Sequence, residues 1–195
     1  MDGVALSMAQ VRHAADEFLN KYNQGDLLPV PIEEIAELKL GIFLCAIPGI
    51  KNLIGIDGFI TSDFSQITID EYCYTKYSER TRFTIAHEIG HKILHQDWYK
   101  KNGPTNFNDH QDFFSKISET DYRYIEIQAQ TFAGLVLVPS KLLSKELINK
   151  LGKMPENEDA EILQPIFNDL LNIFKVSGEV LYRRMVKEGM IKKLL

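Results

Sequence analysis

The stretch Arg82-Phe83-Thr84-Ile85-Ala86-His87-Glu88-Ile89-Gly90-His91 decides how the rest of the chain is read. It sets two histidines four residues apart, with a glutamate directly after the first, on a background that favours helix. Residues four apart on a helix share a face, with Cβ atoms about 5–6 Å apart, so both imidazoles can reach one ion. Glu88 stands about 100° around from His87 on a 3.6-residue helix, beside a bound metal rather than on it. A carboxylate there can take a proton from water activated by zinc and hand it to a leaving amine. The bland alternative is a chance grouping of core or surface histidines. It is disfavoured because the whole chain has only 5 histidines, and two of them, His87 and His91, fall in this segment with His95 just beyond it. Gly90 weighs the same way. Glycine inside a helix costs about 0.5–1 kcal/mol relative to alanine, which implies a close neighbour at that point.

Zinc at a catalytic site needs a third protein ligand and leaves its fourth position to water. Asp97 lies six residues beyond His91, where one class of zinc peptidases places that ligand after a glycine turn. Here the turn position is Leu94, and on a continuing helix Asp97 points away from the ion. His95 shares a face with His91 but lies about 12 Å along the axis from His87, too far to share the ion with both; packing or hydrogen-bonding support suits it better. Glu126 opens the helical stretch Glu126 to Ala133, whose Ala129 and Ala133 would let it approach the histidine helix closely. Spacing alone leaves Glu126 open between a metal ligand and a solvated carboxylate favoured at a helix start by the dipole.

Working outward, apolar residues from Met8 to Tyr22 recur at helical spacing. Pro29 and Pro31 close that region, and Pro31 suits the first turn of a short helix running to about Lys39. The run Ile42 to Ile47 reads as a buried strand. Strands around Ile54 to Thr61 and Gln66 to Asp70, joined by Ser62-Asp63-Phe64-Ser65, suggest an antiparallel hairpin. Helix is expected from Ser78 to about Trp98. A polar stretch follows from Lys100 to Thr120, open between a surface loop, a mobile lid and a partly disordered insertion, and helix resumes at about Asp121 and stops before Pro139. Further helices are expected after Pro139, at about Ala160 to Phe174 and at Ser177 to Glu188. The expected fold is α+β: a mostly helical single domain, 1–195, with a small antiparallel sheet packed against a zincin-like active-site helix. Within it, 1–77 supplies helices and strands, 78–138 the zinc-site helices and 139–195 a helical C-terminal segment.

The net charge of −5 opposes coating nucleic acid or anionic membranes. Cys45 and Cys73 lie far apart without metal-ligand spacing, which fits a reducing compartment. The first residues lack the basic start of an export signal, and no apolar run approaches the ~20 residues of a membrane span. A cytoplasmic protein is expected. The segment from Lys175 onward carries six Lys/Arg against two Asp/Glu, a local charge of +4, and Ser177 caps a helix resembling a DNA-reading one. A packing helix with a solvated basic face is the preferred reading, and overall acidity argues against direct DNA binding. For transition-state stabilisation His110, Tyr122 and Tyr124 are candidates.

Three passages together resemble one family, the ImmA/IrrE-type zinc metallopeptidases: RFTIAHEIGHKILH (Arg82 to His95), EIQAQTFAGLVLVP (Glu126 to Pro139) and FKVSGEVLYRRMVKEGMI (Phe174 to Ile191). The likeness extends over nearly the whole chain, and the first two motifs are specific in combination. It implies that His87, His91 and Glu126 bind Zn2+ and that Glu88 is the catalytic acid/base. It also implies a metalloendopeptidase whose protein substrate is a helix-turn-helix repressor, in bacterial stress response or mobile-element control. Such a repressor is expected to be a separate chain, because the first residues already read as peptidase. Gln130 stands where the family often has Asn, and the Lys100 to Thr120 segment is long for it. A regulatory module acting by protein or DNA contact on the same fold is the alternative, though it has no chemical need for Glu88.

Overall fold

Ser7 opens the first helix. Its hydroxyl accepts from the Gln10 N–H while the Gln10 side chain returns to the Ser7 backbone, so both orphan donors are met and α1 runs Met8–Tyr22. The structure, a computed structural model, describes residues 6–109, 113 and 117–192. After α1, Pro31 starts the short α2, Ile32–Glu34, which widens into a π-helical turn, Ile35–Lys39, where Leu40 N–H reaches back to Ile35 O.

A three-stranded sheet follows, with β1 Phe43–Ile47, β2 Gly58–Ile60 and β3 Gln66–Asp70 in the order β1-β3-β2. The expected hairpin is present: β2 and β3 pair antiparallel, Phe59 opposite Thr68, across the turn at Ser62 to Ser65. The sheet as a whole is mixed rather than antiparallel, because β1 runs parallel to β3, with Cys45 opposite Thr68. The reason lies in the connection after β1. Gly49 and Gly55, both left-handed, bracket a short helix α3, Ile50–Ile54, which carries the chain past the place for β3 to the far edge. Helix α3 also shortens the strand expected from Ile54. β1 is an edge strand and not a buried one; Phe43 is 61% exposed.

Helix α4, Glu71–Lys76, is capped by Asp70, and α5, Ser78–Leu94, carries the histidines. The expected single helix to Trp98 breaks at His95, whose ψ of 24° ends α5. The chain restarts as α6, Gln96–Asn102. Then come α7, Glu119–Leu137, capped by Ser118, and α8, Ser140–Leu151. Helices α9, Ala160–Phe174, and α10, Gly178–Lys187, complete the described fold. α10 buries Leu181, Arg184 and Met185, as the packing reading of this segment expects.

The central contact is α5 against α7. A Cβ built on Gly90 would lie 3.2 Å from Ala129 Cα and 3.2 Å from a Phe132 ring carbon, so glycine and Ala129 set how closely the helices lie. Both are flanked by fully buried Ile85, Ile89, Ile125 and Phe132, part of one apolar core reaching α1, the sheet and α10. On the other side of α5 lies β2. A Cβ on Gly58 would fall 2.6 Å from Thr68 O and 2.8 Å from Thr84 Cγ2, so the strand can press against the helix only with glycine there. Among the described residues no helix is long and apolar enough to cross a membrane.

Candidate metal centre

Because α5 and α7 lie so close, Glu126 reaches across to the histidines. It sits two turns inside α7, since that helix begins at Glu119, and so is no helix-start carboxylate. Its Oε2 lies 3.3 Å from His87 Nε2 and its Oε1 3.4 Å from His91 Nε2, while the two Nε2 atoms are 3.1 Å apart. Donors on a tetrahedral zinc, at bond lengths of about 2.0–2.1 Å, stand roughly 3.3 Å apart. Each of these separations is of the size that donors to a shared cation require, so the donor set is compatible with one. The His91 side chain is 2% exposed and that of Glu126 24%, so Glu126 is the more open of the two.

Glu88 approaches from the sheet side. Ligand atoms of His87, Glu88 and His91 lie within 4.8 Å of one another. Glu88 Oε2 accepts the Ile60 backbone N–H at 3.0 Å, which turns the carboxylate toward β2 and leaves it beside the cluster. Burial is the main reason its carboxyl is pushed up to about 8; Glu126 adds to the effect, and His87 and the Ile60 N–H oppose it. Burial would also raise Glu126, but His87 and His91 outweigh it and hold Glu126 well below the usual carboxylate range. Burial lowers His91. It would lower His87 too, but there Glu126 and Glu88 prevail and the imidazole is raised. The cluster is thus a pair of imidazoles and two carboxyls competing for few protons, and pKa values driven apart in one cleft are the usual mark of a working site.

His95 lies on the far side of His91, its Nδ1 3.2 Å from His91 Nδ1, so it supports a ligand rather than joining the cluster. Burial chiefly, and His91, push its imidazole down to about 4. Asp97, on α6, is exposed and away from the cluster. The outcome is the one the helical argument predicts, although the helix it assumed ends at Leu94.

These groups open into a cavity of about 340 Å³. Tyr122 lines it, and its phenol is raised above the ordinary value by burial and then by Glu126 and Glu88, so it stays protonated at neutral pH. Tyr124 is half exposed and not part of the lining; His110 lies outside the described residues. Gln130 also borders the cavity. Sequence reasoning missed Tyr99, whose ring stacks on His91 with centroids 4.8 Å apart and 29° between planes. Only a break after Leu94 brings it there, and no glycine or proline marks that break. It also missed the Ile60 N–H, for which Gly58 was the available signal: a lone glycine at the start of a strand marks a close approach.

A histidine pair on one helix, a carboxylate from the next and a sheet edge beside them make a zincin-like peptidase fold. Residues 66–186 match the family model for peptidase family M78, described as the IrrE N-terminal-like domain. That is more than half of the chain, and the protein belongs to this family. No curated protein matches the chain. Among solved structures, a Mycobacterium tuberculosis transcriptional regulator aligns with a TM-score of 0.56 at 15% identity, over 91% of this chain and 46% of that one. The likeness establishes the shared fold, and this chain spans less than half the length of that regulator.

Proposed function

We propose that the protein is a zinc-dependent endopeptidase acting on a protein substrate, with His87, His91 and Glu126 holding the metal and Glu88 as general base. The observation that carries this is the placing of Glu126's two oxygens, one against each Nε2, with Glu88 held apart from them by the Ile60 N–H. Two nitrogens and one carboxylate, with a cavity on the remaining side, is the donor set of catalytic zinc. When bound, zinc supplies Lewis acidity, polarising a carbonyl and making water a nucleophile near neutral pH. Glu88 takes the proton of the attacking water and delivers it to the departing amine. The neighbouring cation's charge would favour its ionised form, countering the upward push of burial. Tyr122 presents a protonated phenol to the cavity and is suited to donate to the oxygen on which charge develops. Tyr99 keeps the His91 ring in place.

The substrate is a helix-turn-helix repressor. Support comes from the membership of the IrrE-like family and the fold shared with a transcriptional regulator. A net charge of −5 suits attraction of a basic DNA-binding protein. The test is to incubate the zinc-loaded protein with repressors encoded beside it and to weigh the fragments. Site-limited cleavage by wild type, absent in Glu88→Gln with zinc retained, is expected. Cleavage undiminished in Glu88→Gln would remove Glu88 from the mechanism. Relief of repression in cells by Glu88→Gln, without cleavage, would replace the peptidase reading with one of regulation by contact.

A further inference from the structure

A chain of buried polar groups leads away from the cluster and ends at the amino-terminal side of α1. His91 Nδ1 lies 3.2 Å from His95 Nδ1, His95 Nε2 lies 2.8 Å from Gln128 Oε1, and Gln128 Nε2 lies 3.3 Å from Leu6 O. His91, His95 and Gln128 are each at most 2% exposed, so water does not compete for these contacts. The far end determines the near end. A backbone carbonyl only accepts, so the Gln128 atom facing Leu6 O is the amide nitrogen and the atom facing His95 is the oxygen. That oxygen in turn only accepts, so His95 carries its proton on Nε2. A neutral His95 then offers a lone pair at Nδ1, and His91 must donate Nδ1–H to it. His91 is left with its lone pair on Nε2, the atom beside His87 and Glu126.

We propose that His95 and Gln128 are positioning residues that fix the tautomer of His91, with the Leu6 carbonyl as the anchor of the chain. Metal-bound histidines usually pass their second N–H to a carboxylate, carbonyl or water. Here the acceptor is a second imidazole, itself oriented by an amide from α7. The anchor lies next to Ser7, the cap of α1, so seating of that helix is coupled to the ligand geometry. The inference rests on the metal-site part of the reading above, not on proteolysis.

Two measurements test it. In the metal-free, nitrogen-15-labelled full chain, imidazole nitrogen shifts report the tautomers: His91 is expected protonated on Nδ1 and His95 on Nε2. Zinc affinity is measured by competition with a chromophoric chelator. His95→Leu and Gln128→Leu are expected to weaken it about 10–100-fold. His95→Asn, which keeps an acceptor near the Nδ1 position, and Gln128→Glu, which keeps the acceptor for His95, are expected to recover most of the loss. His91 protonated on Nε2, or zinc affinity equal to wild type in both leucine variants, overturns the proposal. Should the leucine variants fail to fold, the wild-type tautomers and the Gln128→Glu affinity decide it. A wild type that binds no zinc sinks the metal site itself, and the proposal with it; a wild type that binds zinc with the wrong tautomer sinks only the proposal.

Discussion

Arg184 and His91 are both almost sealed from water, yet their surroundings differ in kind. Arg184 donates to Val138 O at 3.2 Å, to Ser140 Oγ at 2.9 Å and to Glu188 Oε1 at 2.8 Å. Arg12, from α1, donates to the same serine and the same carboxylate, each at 2.9 Å. There cationic donors face acceptors, opposite charges meet, and α1, α8 and α10 are tied together. Around His91 the groups compete instead: two imidazole nitrogens and two carboxylate oxygens meet at contacts of 3.1 to 3.4 Å with few protons to share among them. A closed network needs nothing more and contributes structure. A crowded cluster of this kind, costly to desolvate, is compatible with a cation that would complete it.

The comparison can be broken most decisively at the ligands. His91→Ala and Glu126→Ala should each lower zinc affinity by more than about 100-fold, beyond the range for supporting partners, while Asp97→Ala leaves it unchanged. Chelator competition reads all three, and loss in Asp97→Ala alone would mean that the chain turns differently after Leu94. Next in size, Arg184→Ala leaves Glu188 facing only Arg12 and the Ser140 hydroxyl and should cost about 3 kcal/mol in urea unfolding, with zinc affinity intact. A parallel fall in zinc affinity would show that the two networks are not separate.

Gly90→Ala tests whether helix spacing sets the reach of Glu126. The added methyl meets Ala129 and Phe132 at 3.2 Å, so a stability loss of about 1–3 kcal/mol is expected, together with weaker zinc binding. Loss of stability with zinc affinity unchanged would detach Glu126 from the close packing. The smallest expected effect is on pH dependence. The folded protein holds His87 above its ordinary value, so in the metal-free state that contribution is full below about pH 6.5 and fades as pH rises through the raised value. Glu126 is held low, so its contribution is full above about pH 4.5 and fades as pH falls. Glu88, pushed up to about 8, also loses its contribution as pH rises toward that value, so the metal-free Tm should fall as pH climbs above about 6.5. Zinc competes with the proton at His87, so the Tm gain on adding zinc should grow as pH rises. A gain flat from pH 5.5 to 8 would remove His87 from the ligand set.

What was legible in the sequence follows the range of the forces involved. The four-residue spacing of His87 and His91, the small faces of Gly90 and Ala129, and the cap at Ser177 are local signals, and the structure reproduces them. Glu126 pointing in was readable from small-residue spacing plus a resemblance, whereas Asp97 is exposed for a reason other than the expected continuous helix, which stops at Leu94. The parallel pairing of β1 was not, because it depends on where α3 delivers the chain, and a short apolar run does not reveal which edge it will occupy. Tyr99 and the Gln128 anchor were hidden for a related reason. Each becomes part of the site only once distant segments have docked, Tyr99 through an unmarked break at His95 and Gln128 through a carbonyl 122 positions away.

The Ile60 N–H has a consequence of another sort. The margin of a β-sheet is a template on which foreign strands add, and proteins guard it with charges, bulges or covers. On β2 the guard is Glu88, with α5 pressed against Gly58 beside it. Glutamine at position 88 still offers an oxygen to that N–H, whereas alanine leaves it bare. A control made as Glu88→Ala would thus remove the proposed base and leave a buried donor unsatisfied at once, a loss of stability that has nothing to do with chemistry.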